Sequence, residues 1–266
     1  MKLALDEYAH LKSWIHQWEA QHKLVGLIAL IFAFALVEHW QLIPFMLLTT
    51  SLLYLTSRLP FSFWSERIRY PGLFLLGVVI LLPFLSGTTV LWNWGILTVR
   101  QEGMVALFLI ASRFLSIITV GLILFGTTPF LTTVRAMRSL GLPIVLADML
   151  LLTYRYLFEV ANSLTHMQRS MRLRGFQYQP RRRLSHLPDR QTLDRLASLA
   201  GTLLVRSYEQ SERIYKAMRL RGYGYQKINT FVNTEVQPKG IRLWSMAGLV
   251  CVLLVALSFV VAEVLI

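Results

Sequence analysis

Apolar residues in this chain fall into five continuous runs. The runs cover residues 24–37, 42–56, 71–91, 103–125 and 243–261. A helix needs about 20 apolar residues to cross the hydrocarbon core of a bilayer. The last three runs meet that length. The first two are shorter and predict a tight helical hairpin whose turn is Glu38-His39-Trp40. The pattern therefore predicts an all-α integral membrane protein with about five transmembrane helices.

The polar stretch between the fourth and fifth runs predicts two further long helices. Gly141 and Pro143 form a helix stop, and from there to Arg174 apolar residues recur at steps of three or four. A second helix is predicted to start between Asp189 and Asp194, because acidic residues favour a helix N-terminus. Residues 177–192, which are rich in proline and arginine, are predicted to be the linker.

A run of small residues in the second long helix predicts where the two helices cross. Small side chains let two helix backbones approach closely. We therefore expect the first long helix to cross the second at this run. The predicted crossing residues are Ala197, Ala200 and Gly201.

Composition agrees with the membrane assignment, and the distribution of charge adds an orientation. The chain is 55% hydrophobic and only 15% charged, which is too apolar for an ordinary soluble domain. Of the 27 Lys and Arg residues, 19 lie in residues 127–242. Positive charge gathers on the cytoplasmic side of membrane proteins. The N-terminus and residues 127–242 are therefore predicted to be cytoplasmic, and residues 92–102 and the C-terminus to lie outside.

The net charge of +13 predicts contact with the lipid bilayer rather than with nucleic acid, because it borders the apolar runs. The same pattern predicts three parts. Residues 1–126 hold the N-terminal membrane helices, residues 127–240 form a cytoplasmic and interfacial coupling module, and residues 241–266 form the C-terminal transmembrane helix.

One six-residue sequence occurs twice, near the predicted ends of the two long helices. The copies are Met171-Arg172-Leu173-Arg174-Gly175-Phe176, the first ending, and Met218-Arg219-Leu220-Arg221-Gly222-Tyr223, the second ending. Glycine closes a helix in the left-handed conformation, and arginine suits the negative end of the helix dipole. Capping alone does not require the repeated methionine, leucine or aromatic residue. The duplication therefore predicts two equal docking surfaces, where arginine pairs with carboxylate on a paired partner.

The paired endings resemble those of the transmembrane T component of energy-coupling factor (ECF) transporters, the CbiQ/EcfT family. That family has two Ala-Arg-Gly signatures at the ends of two crossed cytoplasmic coupling helices. The pairs Arg174-Gly175 and Arg221-Gly222 match these signatures, while Leu173 and Leu220 stand where the family usually has alanine. The resemblance implies that each ending docks on one of two ABC ATPase subunits. The predicted docking residues are Met171, Leu173, Arg174, Gly175, Met218, Leu220, Arg221 and Gly222.

The resemblance also implies a function without chemistry of its own. Such a chain transmits ATPase motion to a membrane substrate-binding S component, in the cytoplasmic membrane of a bacterium or archaeon. The sequence around the endings is most similar to members for cobalt or nickel uptake. The alternatives are a T component for a vitamin and a stand-alone secondary transporter. A secondary transporter usually has repeated membrane halves, whereas the repeat here is predicted to be cytoplasmic.

Residues that would indicate other chemistry are missing from the sequence. The six histidines do not have the spacing of a metal site, and there is no glycine-rich phosphate loop. We expect no catalytic residue, no metal site and no cofactor. Arg113 lies within an apolar run, where an arginine is either paired inside the helix bundle or in contact with the substrate-binding partner.

Overall fold

The computed structural model describes residues 13, 15–16, 18–85, 90–94, 97–175, 190–223 and 239–265. Helices make up nearly all of this structure, and one two-stranded hairpin lies between the third and fourth of them. The elements in chain order are α1 (Ala20–Leu36), α2 (Ile43–Ser57), α3 (Phe61–Leu85), β1 (Val90–Trp94), β2 (Leu97–Arg100), α4 (Gln101–Gly126), α5 (Phe130–Ser139), α6 (Ile144–Leu173), α7 (Arg190–Leu220) and α8 (Lys239–Leu265).

The predicted class, an all-α membrane protein, is confirmed. In the described part of the chain, Gly103–Gly126 in α4 and Trp244–Leu265 in α8 are long and apolar enough to cross a membrane. The helices α1 and α2 are apolar but have only 17 and 15 residues. A short 3₁₀ turn, Trp40–Leu42, lies between them and begins at the last residue of the predicted turn.

The third helix differs from its prediction at both ends. The apolar run covers residues 71–91, but α3 begins at Phe61 and ends at Leu85. The helix begins ten residues before Pro71 and continues through it. Proline is tolerated inside membrane helices because neighbouring groups compensate for the lost hydrogen bond. Helix α3 ends six residues before the apolar run does, and the residues of β1 include Val90, Trp92 and Trp94, which are types that favour strands.

The hairpin that follows α3 was not predicted. Strands β1 and β2 pair antiparallel, with Val90 opposite Arg100 and Trp94 opposite Leu97. An irregularity in register lies between Val90 and Trp92. The sequence predicts the end of an apolar run and an external loop here. Alternation of apolar and polar residues over so few positions is too short a signal to distinguish a strand from a loop.

The described chain forms two compact units, and one of them comprises Ala4–Ile144 together with Gln237–Ile266. Its centre is α1, which packs against α4, α5 and α8. Leu27, Leu30 and Phe34 of α1 are buried in its core. The ring of Phe34 meets the ring of Phe259 on α8 edge to face at 5.3 Å. Helices α2 and α3 pack against the other side of α4.

The other unit comprises Val145–Val236, of which the structure describes residues 145–175 and 190–223. It consists of α6 and α7, which have 30 and 31 residues. Two long helices were predicted here, from near Pro143 to Arg174 and from about residue 190, and both predictions are confirmed. Most of the predicted linker, residues 177–189, lies outside the described residues.

Candidate docking site

The two endings close their helices with the same backbone hydrogen bonds. In the first ending, Arg174 N donates to the carbonyls of Ser170 and Met171, and Gly175 N donates to Arg172 O at 3.0 Å. The second ending repeats this arrangement one for one, with Gly222 N donating to Arg219 O at 3.0 Å. Equal sequence therefore gives equal local geometry at two separate helix ends.

Both closing glycines have a backbone that requires glycine. The φ angle is +84° at Gly175 and +77° at Gly222, in the left-handed region where a β-carbon is strained. In the second ending, Tyr223 N also donates to Met218 O at 3.0 Å. This pair of bonds is the Schellman motif, which satisfies carbonyls that a helix end leaves without partners.

Each ending presents a leucine and an arginine to water. Leu173 is 90% exposed and Leu220 is 89% exposed, more than any other large apolar side chain in the described residues. Arg174 and Arg221 beside them are also exposed. An apolar side chain in water is unfavourable unless a partner covers it, and arginine suits a carboxylate-lined groove. These four side chains have the chemistry of a docking surface.

The methionine of each ending is less exposed than its leucine. Met171 and Met218 are both partly buried. Met218 lines a groove of about 720 Å³ between α6 and α7, which we call the α6–α7 groove. Of the predicted docking residues, Met218 therefore packs within the unit, and the glycines shape the backbone. The outward-facing side chains are those of the leucines and arginines.

The α6–α7 groove also shows which parts of the two helices face each other. Its α6 side runs from Val145 to Val160, and its α7 side runs from Ser207 to Tyr223. Large side chains from both helices line it, which include Met149, Leu152, Tyr156, Ile214, Tyr215 and Met218.

The small-residue run lies outside this contact. Ala197, Ala200 and Gly201 are all exposed, and a β-carbon on Gly201 would have no described heavy atom within 4 Å. The structure therefore does not bring them together with the described part of α6, and the groove that both helices line begins about two turns further along α7. Small residues permit a close crossing but do not require one.

One hydrogen bond joins the second ending to the start of α6. The hydroxyl of Tyr223 donates to Oδ2 of Asp148 at 2.9 Å. Sequence reasoning singled out the aromatic residue of the ending but missed Asp148. The two copies differ at their sixth position, and this difference is the sequence signal for the bond. Tyr223 has a hydroxyl group, whereas Phe176 has none.

In the part of the chain that the structure describes, candidate residues for other chemistry do not assemble into a site. Within the described residues, no group of three or more His, Cys, Asp or Glu side chains is placed to hold a metal ion. His22 and Glu19 lie 3.0 Å apart, and His39 and Glu263 lie 2.7 Å apart, which makes two separate pairs. In the second pair, the Glu263 carboxylate also accepts hydrogen bonds from the backbone of Glu38 and His39.

Arg113, the arginine within an apolar run, forms a hydrogen bond within the unit that comprises Ala4–Ile144 and Gln237–Ile266. Its Nη2 donates to the carbonyl oxygen of Val37, the residue that caps α1. The carbonyls of the last turn of a helix have no intrahelical partner, and this arginine supplies one of them with a donor. Of the two alternatives, the structure shows a contact within the bundle.

Lys23 is a buried cation that no pattern in the sequence singled out. It is 1% exposed at the start of α1. Its Nζ donates to the hydroxyls of Thr127 and Thr128 at 3.0 Å each and to the Thr127 carbonyl at 3.3 Å. These residues connect α4 to α5. The contact spans more than 100 positions, so no local pattern could have revealed it.

Fold and site together define a helical membrane protein with two long helices that end in the same way. The chain belongs to the CbiQ family, described as cobalt transport protein, whose sequence model matches residues 11–230. That match includes both endings and all but the last of the membrane helices.

Curated relatives cover the chain to a similar extent. It is 26% identical over 231 residues to the energy-coupling factor transporter transmembrane protein EcfT of Lacticaseibacillus paracasei, which covers 84% of this chain and 85% of that one. The protein of the same name from Listeria innocua is 26% identical with the same coverage. Its counterpart from Macrococcus caseolyticus is 23% identical, again over 84% of this chain. All three are transporter membrane components by name.

Proposed function

We propose that this chain is the coupling component of an ECF-type ABC importer, and that its two endings dock on two ABC ATPase subunits. The observation that supports this most directly is the duplicated ending. Both copies have the same closing hydrogen bonds, and both expose a leucine at about 90% beside an exposed arginine. Two equal surfaces fit a partner that is itself a pair of similar subunits.

In this proposal α6 and α7 transmit ATPase movement to a membrane-embedded S component, which holds the substrate. Long helices suit this role, because 30 residues span about 45 Å without a break. Coupling then needs contacts that switch between two arrangements as the ATPases open and close. The chain itself performs no chemistry in this scheme.

We propose Co²⁺ or Ni²⁺ as the transported substrate. The description of the family as cobalt transport protein supports this choice. We also propose a bacterial or archaeal cytoplasmic membrane, with the N-terminus inside and the coupling module within residues 127–240. Support comes from the 19 of 27 Lys and Arg residues in 127–242.

Copurification from native membranes tests the proposal. The tagged full-length chain is solubilised in mild detergent, and its partners are identified by mass spectrometry. We expect two ABC ATPase subunits for each copy of the chain and a small apolar membrane protein. Uptake of Co²⁺ or Ni²⁺ is then measured in proteoliposomes that contain the complex. A chain that purifies alone and transports without ATP would be a secondary transporter, and the proposal would be wrong.

A further inference from the structure

The second ending differs from the first in how it is joined to α6. Tyr223 follows the closing glycine and donates from its hydroxyl to Asp148 at 2.9 Å. Asp148 lies in the second turn of α6, four positions after the helix begins at Ile144. The first ending has Phe176 at the corresponding position, and this side chain has no donor.

Several further contacts make the second ending part of the same groove. Met218 and Arg219, which open the second ending, line the α6–α7 groove together with Asp148 and Tyr223. The guanidinium of Arg219 also lies 5.8 Å from the centre of the Tyr215 ring. The backbone of Tyr223 is fixed by its bond to Met218 O, so the direction of the hydroxyl follows from the helix cap. Leu220 and Arg221 remain exposed on the outer side.

We propose that the Asp148–Tyr223 pair makes the two docking ends unequal, because it fixes only the second ending to the start of α6. Movement of an ATPase docked at the second ending then reaches the start of α6 directly. This inference rests on the proposed function. Asp148 and Tyr223 are positioning residues, because neither is among the outward-facing docking side chains. A hydrogen bond to a carboxylate is stronger than one between neutral groups, so it suits a contact that transmits movement.

The first test needs no partner protein. Hydrogen exchange is measured on the full-length chain in lipid nanodiscs. Tyr223→Phe removes only the hydroxyl, and we expect the amides of residues 216–222 to exchange about fivefold faster, since one net hydrogen bond is lost. Asp148→Leu should have the same effect, whereas Asp148→Asn keeps a neutral acceptor oxygen and should give a smaller increase than Asp148→Leu. The matched control is Tyr215→Phe, in the same groove, which should change nothing.

The second test uses the purified complex with its ATPases. Exchange at residues 145–152 is compared with and without a non-hydrolysable ATP analogue. We expect wild type and Tyr215→Phe to show a nucleotide-dependent change, and Tyr223→Phe and Asp148→Leu to lose it while they retain both ATPases. Retention of the change in Tyr223→Phe, or equal behaviour of Asp148→Asn and Asp148→Leu, would overturn the inference. If instead no ATPase copurifies with wild type, the proposed function fails, and the nanodisc experiment still decides whether the pair fixes the second ending.

Discussion

Nζ of Lys23 donates a hydrogen bond to Oγ1 of Thr127, 3.0 Å away, and so joins the start of α1 to the end of α4. Both side chains are buried, with exposed fractions of 1% and 2%. A buried ammonium group is tolerated only where acceptors surround it. Here three acceptors, all from Thr127 and Thr128, do so.

Replacement of Lys23 tests the contact between the start of α1 and the end of α4. Lys23→Met keeps most of the side-chain volume but leaves the threonine acceptors without their donor, so we expect a loss of about 1–3 kcal/mol in stability. Thermal unfolding in detergent measures it. The control is Lys216→Met, because Lys216 is 71% exposed and pairs only with Glu212. An exposed pair of this kind contributes less than about 1 kcal/mol. Equal melting temperatures for both variants would contradict the anchoring role.

Charge reversal at the two endings tests ATPase docking. Arg174→Glu combined with Arg221→Glu should remove ATPase from the purified complex, since each lost charged contact is expected to weaken binding by about 2–5 kcal/mol. The matched control is Arg169→Glu with Arg206→Glu, which changes the same net charge at exposed positions of α6 and α7. ATPase copurification and substrate uptake are the measurements. A double variant with full uptake would show that the arginines do not dock.

The leucines of the endings provide a second, apolar test. Leu173→Ala with Leu220→Ala should leave the melting temperature unchanged, because both side chains are about 90% exposed. The same variant should weaken ATPase binding about tenfold if the side chains enter grooves on the partner. Met218 lines the α6–α7 groove, so Met218→Ala should instead lower the melting temperature. If the leucine variant lowered the melting temperature and Met218→Ala weakened ATPase binding, the leucines would pack within the unit and Met218 would dock.

Gly201 tests the predicted helix crossing. Because the described structure leaves open space at this position, Gly201→Ala should stabilise α7 by about 1 kcal/mol and leave transport intact. Gly201→Leu should also be tolerated at normal expression. Loss of transport in Gly201→Leu alone would indicate that a partner or another state of the chain brings a helix close to this residue.

The chain alone is expected to hydrolyse no ATP and to bind no divalent metal tightly. The sequence has no phosphate-binding loop, and the described residues contain no cluster of metal ligands. Calorimetry with Co²⁺ and Ni²⁺ and a phosphate-release assay measure both properties on purified protein. Stoichiometric metal binding would contradict this and would move the substrate site from the S component to this chain.

Periodicity and local signals in the sequence predicted the helices and the endings. The step of three or four in α6 and the Arg-Gly pairs are local, so a window of a few residues contains the information. The contacts of Lys23, Arg113 and Asp148 are not local, because each residue meets a partner more than 70 positions away. The crossing of α6 and α7 at Ala197, Ala200 and Gly201 stays a prediction, since small residues indicate where a close approach is possible but do not require one.

The backbone hydrogen bonds that close each ending lie within a few consecutive residues. The closing hydrogen bonds of the first run between residues 170 and 175, and those of the second between residues 217 and 223. An insertion of one residue in α6 after Val160, the last α6 residue in the groove, would therefore leave the first ending intact. It would turn that ending about 100° around the helix axis and move it 1.5 Å further along. The number of residues in each helix, counted modulo one turn, thus sets the direction in which each docking surface faces.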